Sequence, residues 1–494
     1  MAGPGQHPPR YGDRWKIAVF AKQRSAQQVV HADPSIPVVV MLNPYQTYAE
    51  DSIARLFRDY GIATVALHTN WRTRVILEGR VPILRSRAVV AHYMVGSDGV
   101  AALADVLGRR HRVVGVVPHD EGAVVPLMKL ATSLGLDWAQ PELIAALGSK
   151  AELKALIARN DPGVRLNAFA SVADVPDVRA WLRATGIDRF VLKPAAGSGN
   201  RDVAFFCAKD CDESDDVAVA RYFSAMDESV TIEEFIDGAE YWVNGQVDAH
   251  GGVLVTAIGQ YDRRPLNGRR NIEVGARTLA SSHPHFAALA EYAARIVRAT
   301  GVVRSPFHLE AMVDERGPCL IEVGMRWCGD MLVYADSWMH GGDVDLIDAA
   351  LHAYLSAEPY RPIHLDWPHA DQHRVLQLNG VSEEHQILVD VRGVETVSAR
   401  PDFLFWIKRP TVGDSVIPTD SLVVKPWGVA MWGADDAALD ACDRDVRAAL
   451  DLVGHHDEPR RTRRWYRLGS GRARKWMMSR PRLYQARALW EARS

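Results

Sequence analysis

Apolar runs bounded by turn residues alternate with amphipathic stretches along most of this chain. From Ile36 to about residue 140, the runs IPVVVML, IATVAL and RVVGVVP read as buried strands separated by helical segments, the pattern of an open α/β sheet. Residues 1–35 form a polar, Pro-rich arm with one early strand expected at Lys16–Phe20. Between 141 and 235 the pattern predicts a helix opening at Lys150, with apolar Leu153, Leu156 and Ile157, and a hairpin that starts with Phe190–Lys193. Thr231–Ile236 alternates like a half-buried strand and breaks at Asp237-Gly238. Over 236–360, Phe286, Leu289, Ala290, Ala293, Ile296 and Val297 recur at helical spacing as core positions. Two short strands follow, His308–Val313 and Cys319–Val323, joined by the turn DERGP. No internal repeat is visible.

These last two strands bring the chemistry in. If the turn is centred on Arg316, Met312 faces Leu320, Glu310 faces Glu322 and His308 faces Gly324. Directly opposed residues have Cβ atoms roughly 4.5–5.5 Å apart, and two like charges so placed destabilise the pair unless they share a proton or a cation. Hard cations such as Mg²⁺ take oxygen ligands and keep substrate phosphates in their other positions, so the two glutamates read as a metal clamp. A slipped register, with one glutamate in solvent, is the competing reading. Arg326 lies four residues past Glu322 and returns to the same face if the strand persists, where a guanidinium can pair with a carboxylate or a phosphate.

A phosphate grip is written upstream. Lys193 ends an apolar run and is followed by Pro194 and the loop AAGSGN. Gly197 and Gly199 let backbone N–H groups approach phosphate oxygens, Ser198 and Asn200 add donors, and Lys193 supplies a point charge. An ordinary glycine turn is the alternative. The loop is not a P-loop, and Asp202 stands where a dinucleotide fingerprint needs its third glycine. Lys150 occupies a first helical turn, unfavourable for the helix dipole, which hints at an anion that holds it. Glu233 to Ile236 are placed to meet an adenine through strand-edge backbone groups.

In this order, Lys150, Lys193 with its glycine loop, Glu233–Ile236, Glu310, Glu322 and Arg326 resemble the ATP-grasp superfamily over about residues 36–455. Within it the chain looks most like the L-amino acid ligases and related carboxylate–amine ligases. The resemblance implies an ATP-grasp fold, α/β overall and α+β in the catalytic half. It divides into a pre-ATP-grasp α/β domain (36–140), an N-terminal lobe with the glycine-loop lid (141–235) and a metal-bearing C-terminal lobe (236–360). A small antiparallel subdomain (361–458) and a basic aromatic tail (459–494) would complete it. It implies ATP and Mg²⁺ as cofactors, two ions with Mn²⁺ as an alternative. Lys150, Lys193 and the glycine loop would take the phosphates, Glu233, Glu234, Phe235, Ile236 and Glu240 the rest of the nucleotide, and Glu310 and Glu322 the metal. Arg326 would steady an acyl phosphate, with Glu121, Glu273 and His308 on the substrate side. One departure stands out: the usual Glu-x-Asn-x-Arg appears as Glu322-Val323-Gly324-Met325-Arg326, and Gly324 has no side chain to ligate with. Trp327-Cys328-Gly329 after the arginine fits the biotin carboxylase branch less well.

Composition changes the picture only at the end of the chain. At 494 residues, 48% hydrophobic and 24% charged, this is a globular chain of several domains. It has no apolar run long enough to span a membrane, and its first residues lack a signal-peptide core, so a cytoplasmic protein is expected. Cys207, Cys211, Cys319, Cys328 and Cys442 show no metal-ligand spacing and fit reduced thiols. Residues 460–494 carry eleven arginines, one lysine and one glutamate, a formal +11 that leaves −14 on the preceding 459 residues of a chain totalling −3. With its interleaved Trp and Tyr, this tail is expected to lie on the chain's own acidic body or a neighbouring subunit, an acidic partner or surface being the alternative. The expected function is ATP-dependent joining of a carboxylate, an amino acid first among candidates, to an amine by a homodimer. The alternatives are a carboxylase acting on bicarbonate and a nucleotide-binding regulator without turnover.

Overall fold

A computed structural model of the protein describes residues 35–456 apart from 45, 46, 97, 137, 139, 196–201, 208–212, 227–228, 330–331, 342–343, 356–363 and 422–423. The early strand at 16–20, the glycine loop and the basic tail therefore lie outside the described residues.

The first sheet is built from β1 (Pro37–Leu42), β2 (Ala63–His68), β3 (Val89–Met94) and β4 (Arg112–Val116), all parallel in the order β3-β2-β1-β4. β1 and β2 are almost wholly buried, as expected of a parallel sheet covered by helices. β3 is the strand the apolar pattern did not single out; it lies at the sheet edge and carries His92 and Tyr93. A second sheet, antiparallel, takes the order β5-β8-β6-β7 from β5 (Phe169–Val172), β6 (Arg189–Pro194), β7 (Ala204–Cys207) and β8 (Val230–Glu234). β6 and β7 are the hairpin predicted from Phe190–Lys193.

The large sheet follows. Its strands β9 (Ala239–Val247), β10 (Val253–Leu266), β11 (Arg269–Thr278), β12 (Ser305–Asp314) and β13 (Gly317–Gly324) are joined by β14 (Arg374–Asn379). The remaining strands are β15 (Gln386–Arg392), β16 (Phe403–Lys408), β17 (Ser415–Val416), β18 (Gly428–Gly433) and β19 (Asp451–His456). Eight of them form the order β13-β12-β9-β10-β11-β14-β18-β16, so strands from 374 to 433 extend the sheet that holds the two facing glutamates. Only β17-β15-β19 make a separate small sheet.

β12 shows how sequence alternation builds this sheet. Phe307, Leu309, Ala311 and Val313 are buried in the main core, whereas His308, Glu310 and Met312 alternate onto the half-buried opposite face. The helix Phe286–Thr300 covers the core side through Leu289, Ala293, Ile296 and Val297 and stops at Gly301, whose φ of +74° suits a left-handed cap. The same core runs on into the first sheet and its helices, so both regions share one packed interior. Polar ties reinforce it: Tyr60 donates to Asp348 at 2.8 Å and the Trp138 indole to the Arg304 carbonyl at 2.9 Å. Among the described residues no helix is long and apolar enough to cross a membrane.

Close approach dictates one glycine in the large sheet. A Cβ on Gly259 of β10 would lie 2.2 Å from the Trp242 ring and 2.5 Å from the Arg277 carbonyl. Gly259→Val should therefore cost about 3 kcal/mol, the upper end of the overpacking range, because a backbone atom cannot yield. The shift in denaturant midpoint measures it; an unchanged midpoint would contradict this packing.

Candidate active site

A cavity of about 460 Å³ opens between the second sheet and the open face of the large one. Its lining gathers Lys150, Lys193, Glu233 to Ile236, Glu240, Glu310 and Glu322, residues scattered over 173 positions of sequence. Arg326, Glu121, His308 and Glu273 lie outside that lining; His308 adjoins it through Glu310 and Glu273 through Arg263, while Arg326 and Glu121 pair with each other.

Glu310 and Glu322 face each other across β12–β13, and His308 faces Gly324, as the pattern predicts. The rest of the hairpin differs. Asp314 pairs with Gly317, so the turn is one residue tighter than a centre on Arg316 allows, and Met312 opposes Cys319 instead of Leu320. A β-bulge between Glu310 and Ala311 on one strand, opposite Ile321, restores the register before the glutamates are reached. The bulge also brings Ile321 and Glu322 together onto the cavity wall.

Each carboxylate has cationic or hydroxyl company. Lys150 Nζ lies 3.3 Å from Glu322 Oε2, which is the anion its position in the first helical turn implied. Burial opposes charge on Lys150, but Glu322 and Glu121 outweigh it and hold the ammonium above its ordinary value. Glu310 Oε1 accepts from Tyr261 at 3.1 Å and lies 3.5 Å from His308 Nε2. Burial would raise the Glu310 carboxyl; His308, Arg263 and Tyr261 together bring it down to about 2. Behind them His308 Nδ1 meets Asn244 Oδ1 at 2.7 Å, and Asn244 donates to buried Asp336 at 2.8 Å. Burial pushes the Asp336 carboxyl up to about 7.

The opposite wall carries a buried cluster that sequence reading only half found. Glu233 is 2% exposed and sits between Lys154 and Lys193, each 2.7 Å away, with Asn167 donating at 2.9 Å. Burial raises the Glu233 carboxyl, yet the two ammonium groups win and hold it at about 2. Lys154 itself is driven down to about 8 by burial. The signal was present: Lys154 falls in the apolar stripe between Ala151 and Ile157, where a solvated lysine has no place. Two lysines meet this one glutamate, and of the three only Lys193 and Glu233 line the cavity. At Glu234 and Phe235 the backbone N–H groups donate to Ala168 and Arg189 carbonyls.

Two further assignments take unexpected settings. Glu273 is 5% exposed and accepts from Gln377 and Asn379 at 3.1 Å each. Arg263, stacked 4.4 Å over Tyr261, bridges it to Glu240 at 2.6 Å. Arg326 does not continue the strand, because β13 ends at Gly324; its Nε donates instead to Glu121 at 2.8 Å. Cys328 is buried in the core.

Comparison with known proteins bears on the fold. Residues 189–333 match the ATP-grasp domain family. The chain is 26% identical over 285 residues to dapdiamide A synthase of Enterobacter agglomerans, a match spanning 56% of this chain and 65% of that relative's length. Among solved structures, an L-amino acid ligase from Bacillus licheniformis superposes with a TM-score of 0.65 at 16% identity, over 86% of this chain and all of the other. The biotin carboxylase domain of a 2-oxoglutarate carboxylase from Hydrogenobacter thermophilus, in complex with MgADP, ADP and bicarbonate, gives 0.59 at 15% identity over 84% and 90%. The fold is thus the ATP-grasp fold.

The buried cluster predicts an acid-dependent stability. Glu233 has its folded value depressed to about 2 from 4.5, so its contribution is complete above pH 4.5 and is lost as pH falls towards 2. Glu233→Gln should lose roughly 3–5 kcal/mol near neutrality, the cost of stranding buried partners, and the gap to wild type should narrow through that window. Melting temperatures against pH for both proteins measure it; a gap independent of pH would contradict the assignment.

Proposed function

Since the chain carries an ATP-grasp domain at residues 189–333, we propose that it is an ATP-dependent ligase joining a carboxylate to an amine through an acyl phosphate. The observation that carries this reading is the pair Glu310 and Glu322, opposed on one face of a cavity whose other wall presents Lys193 and Glu233, with Lys154 buried behind that glutamate. Among the described residues no cluster of three or more His, Cys, Asp or Glu is set to hold a metal by itself. Two facing carboxylates fit a hard cation that completes its shell with nucleotide phosphates. Glu310 and Glu322 would hold Mg²⁺, which when bound neutralises phosphate charge during transfer.

The side chains then have limited chemistry to do, as expected for phosphoryl transfer, where positioning and charge stabilisation dominate. A carboxylate oxygen of the acid attacks the γ-phosphorus, the bond to the β-phosphate oxygen breaks, and ADP leaves. The amine nitrogen attacks the acyl carbon, the carbon–oxygen bond to phosphate breaks, and phosphate and a proton depart. Lys150 and Lys193 bind and orient the phosphates, and the wall at Glu234–Ile236 orients the base. Arg326 meets the charge that develops on the transferring group. Tyr261 and His308 hold Glu310 in place. The hairpin β6–β7 closes over the intermediate and excludes water. The acid is an amino acid on this reading, supported by the likeness to an L-amino acid ligase, and a cytoplasmic location, where ATP is supplied, belongs to the same reading.

The test is ADP release screened over a matrix of amino acids, small carboxylates and amines, with hydroxylamine added once an acid is found. The expected products are ADP, phosphate and the hydroxamate of that acid, because a strong nucleophile intercepts an acyl phosphate. AMP and pyrophosphate would overturn the mechanism. ADP release that needs bicarbonate and no amine would favour the carboxylase reading instead.

A further inference from the structure

Two features beside the cavity have no role in the reaction as described. Residue 324, two positions past Glu322 at the end of β13, lacks a side chain, and Glu121 reaches it from the helix Glu121–Ser133. The φ of Gly324 lies outside the left-handed region, so backbone conformation does not require glycine there. Space does. A Cβ at that position would sit 2.8 Å from Glu121 Oε2 and 3.5 and 3.6 Å from Arg326 Cζ and Cγ. Carbon and oxygen without a bond between them approach only to roughly 3.3–3.6 Å. The same Oε2 accepts from Arg326 Nε at 2.8 Å. One carboxylate oxygen therefore occupies the room left by the missing side chain and grips the guanidinium from there.

The approach of Glu121 is built into the fold. It lies in the first turn of the helix Glu121–Ser133, capped by Asp120, whose side chain accepts from Ala123 N at 3.0 Å. Trp327, next to Arg326, stacks nearly parallel to His119 with centroids 6.4 Å apart and packs 5.5 Å from Tyr48. Tyr48 in turn donates to the His119 carbonyl at 2.7 Å. This wedge fixes the end of β13 against the start of the helix, and so sets Glu121 over Gly324. Arg326 is half-buried, its side chain 16% exposed, and a guanidinium so withdrawn from water needs a charged partner. Its hydrogen bond to the Trp327 carbonyl, at 2.9 Å, supplies direction but no charge.

We propose that Glu121 is a positioning residue that holds Arg326 in the reaction centre, and that residue 324 is glycine in order to admit it. The kinetic side of this inference rests on the ligase reading; the spatial side stands without it. Because the clash would fall on the far end of a flexible side chain, Gly324→Ala should fold and displace Glu121, and so behave like Glu121→Ala.

The experiment is a double-mutant cycle on the full chain with Gly324→Ala, Glu121→Ala and the double variant, read by kcat, ATP KM and melting temperature. Each single variant should lower kcat roughly tenfold or more while ATP KM stays within about twofold, since the arginine acts on the transferring group. The double variant should be no slower than Glu121→Ala, because contacts sharing one partner are not additive. Melting should show the same coupling: Gly324→Ala lowers the temperature in the wild-type background and leaves it unchanged once Glu121 is gone. A Gly324→Ala effect of equal size in both backgrounds would overturn the inference, as would a Glu121→Ala loss confined to ATP KM. If wild type turns over no acid and amine, the ligase reading fails, and the melting cycle still decides whether Glu121 and Gly324 share that space.

Discussion

Two carboxylates of like charge stand opposite each other on adjacent strands, and the rest of the site is arranged around that repulsion. Glu310 and Glu322 cannot be moved apart without shifting β12 or β13, because every second residue of β12 is locked in the main core. Lys150 relieves Glu322, while Tyr261 and His308 hold Glu310 in its charged form. Those partners offset the repulsion in part, and a shared cation would relieve it further. The β-bulge at Ile321 belongs to the same arrangement, since without it the tighter turn would set Glu322 against a different neighbour.

Across the cavity, charge is handled by burial. Glu233 is enclosed with two lysines and an asparagine, which fixes both ammonium groups before any anion arrives. A fixed Lys193 ammonium facing a carboxylate pair suits a ligand with negative oxygens and a bound cation. The region of the first sheet contributes His119 and Glu121, which tie Trp327 and Arg326, just past the end of β13, to the other half of the core.

Local pattern was enough to read the buried strands of the first sheet, the helix at Phe286–Thr300 and the opposition of the two glutamates. That opposition was reached with a misplaced turn, and the bulge supplied the missing residue; alternation on the core face of β12 carries more information than the turn does. Lys150 was legible because its place in the helix dipole is wrong without an anion. Lys154 was not picked out, although its position in an apolar stripe marks it. The Arg326 contact was out of reach, since it depends on where β13 ends and on a partner 205 positions away. The same holds for β14, β16 and β18, whose pairing into the large sheet is set by long-range packing that no local period encodes.

The claim that Glu310 and Glu322 exist to share a cation with nucleotide phosphates is tested most directly by calorimetry of ADP binding with and without Mg²⁺, in wild type and in Glu322→Gln. The account predicts that Mg²⁺ strengthens ADP binding to wild type by at least about tenfold, the scale of metal-site contributions, and that Glu322→Gln loses most of that gain while binding metal-free ADP as before. An equal Mg²⁺ enhancement in both proteins would contradict it.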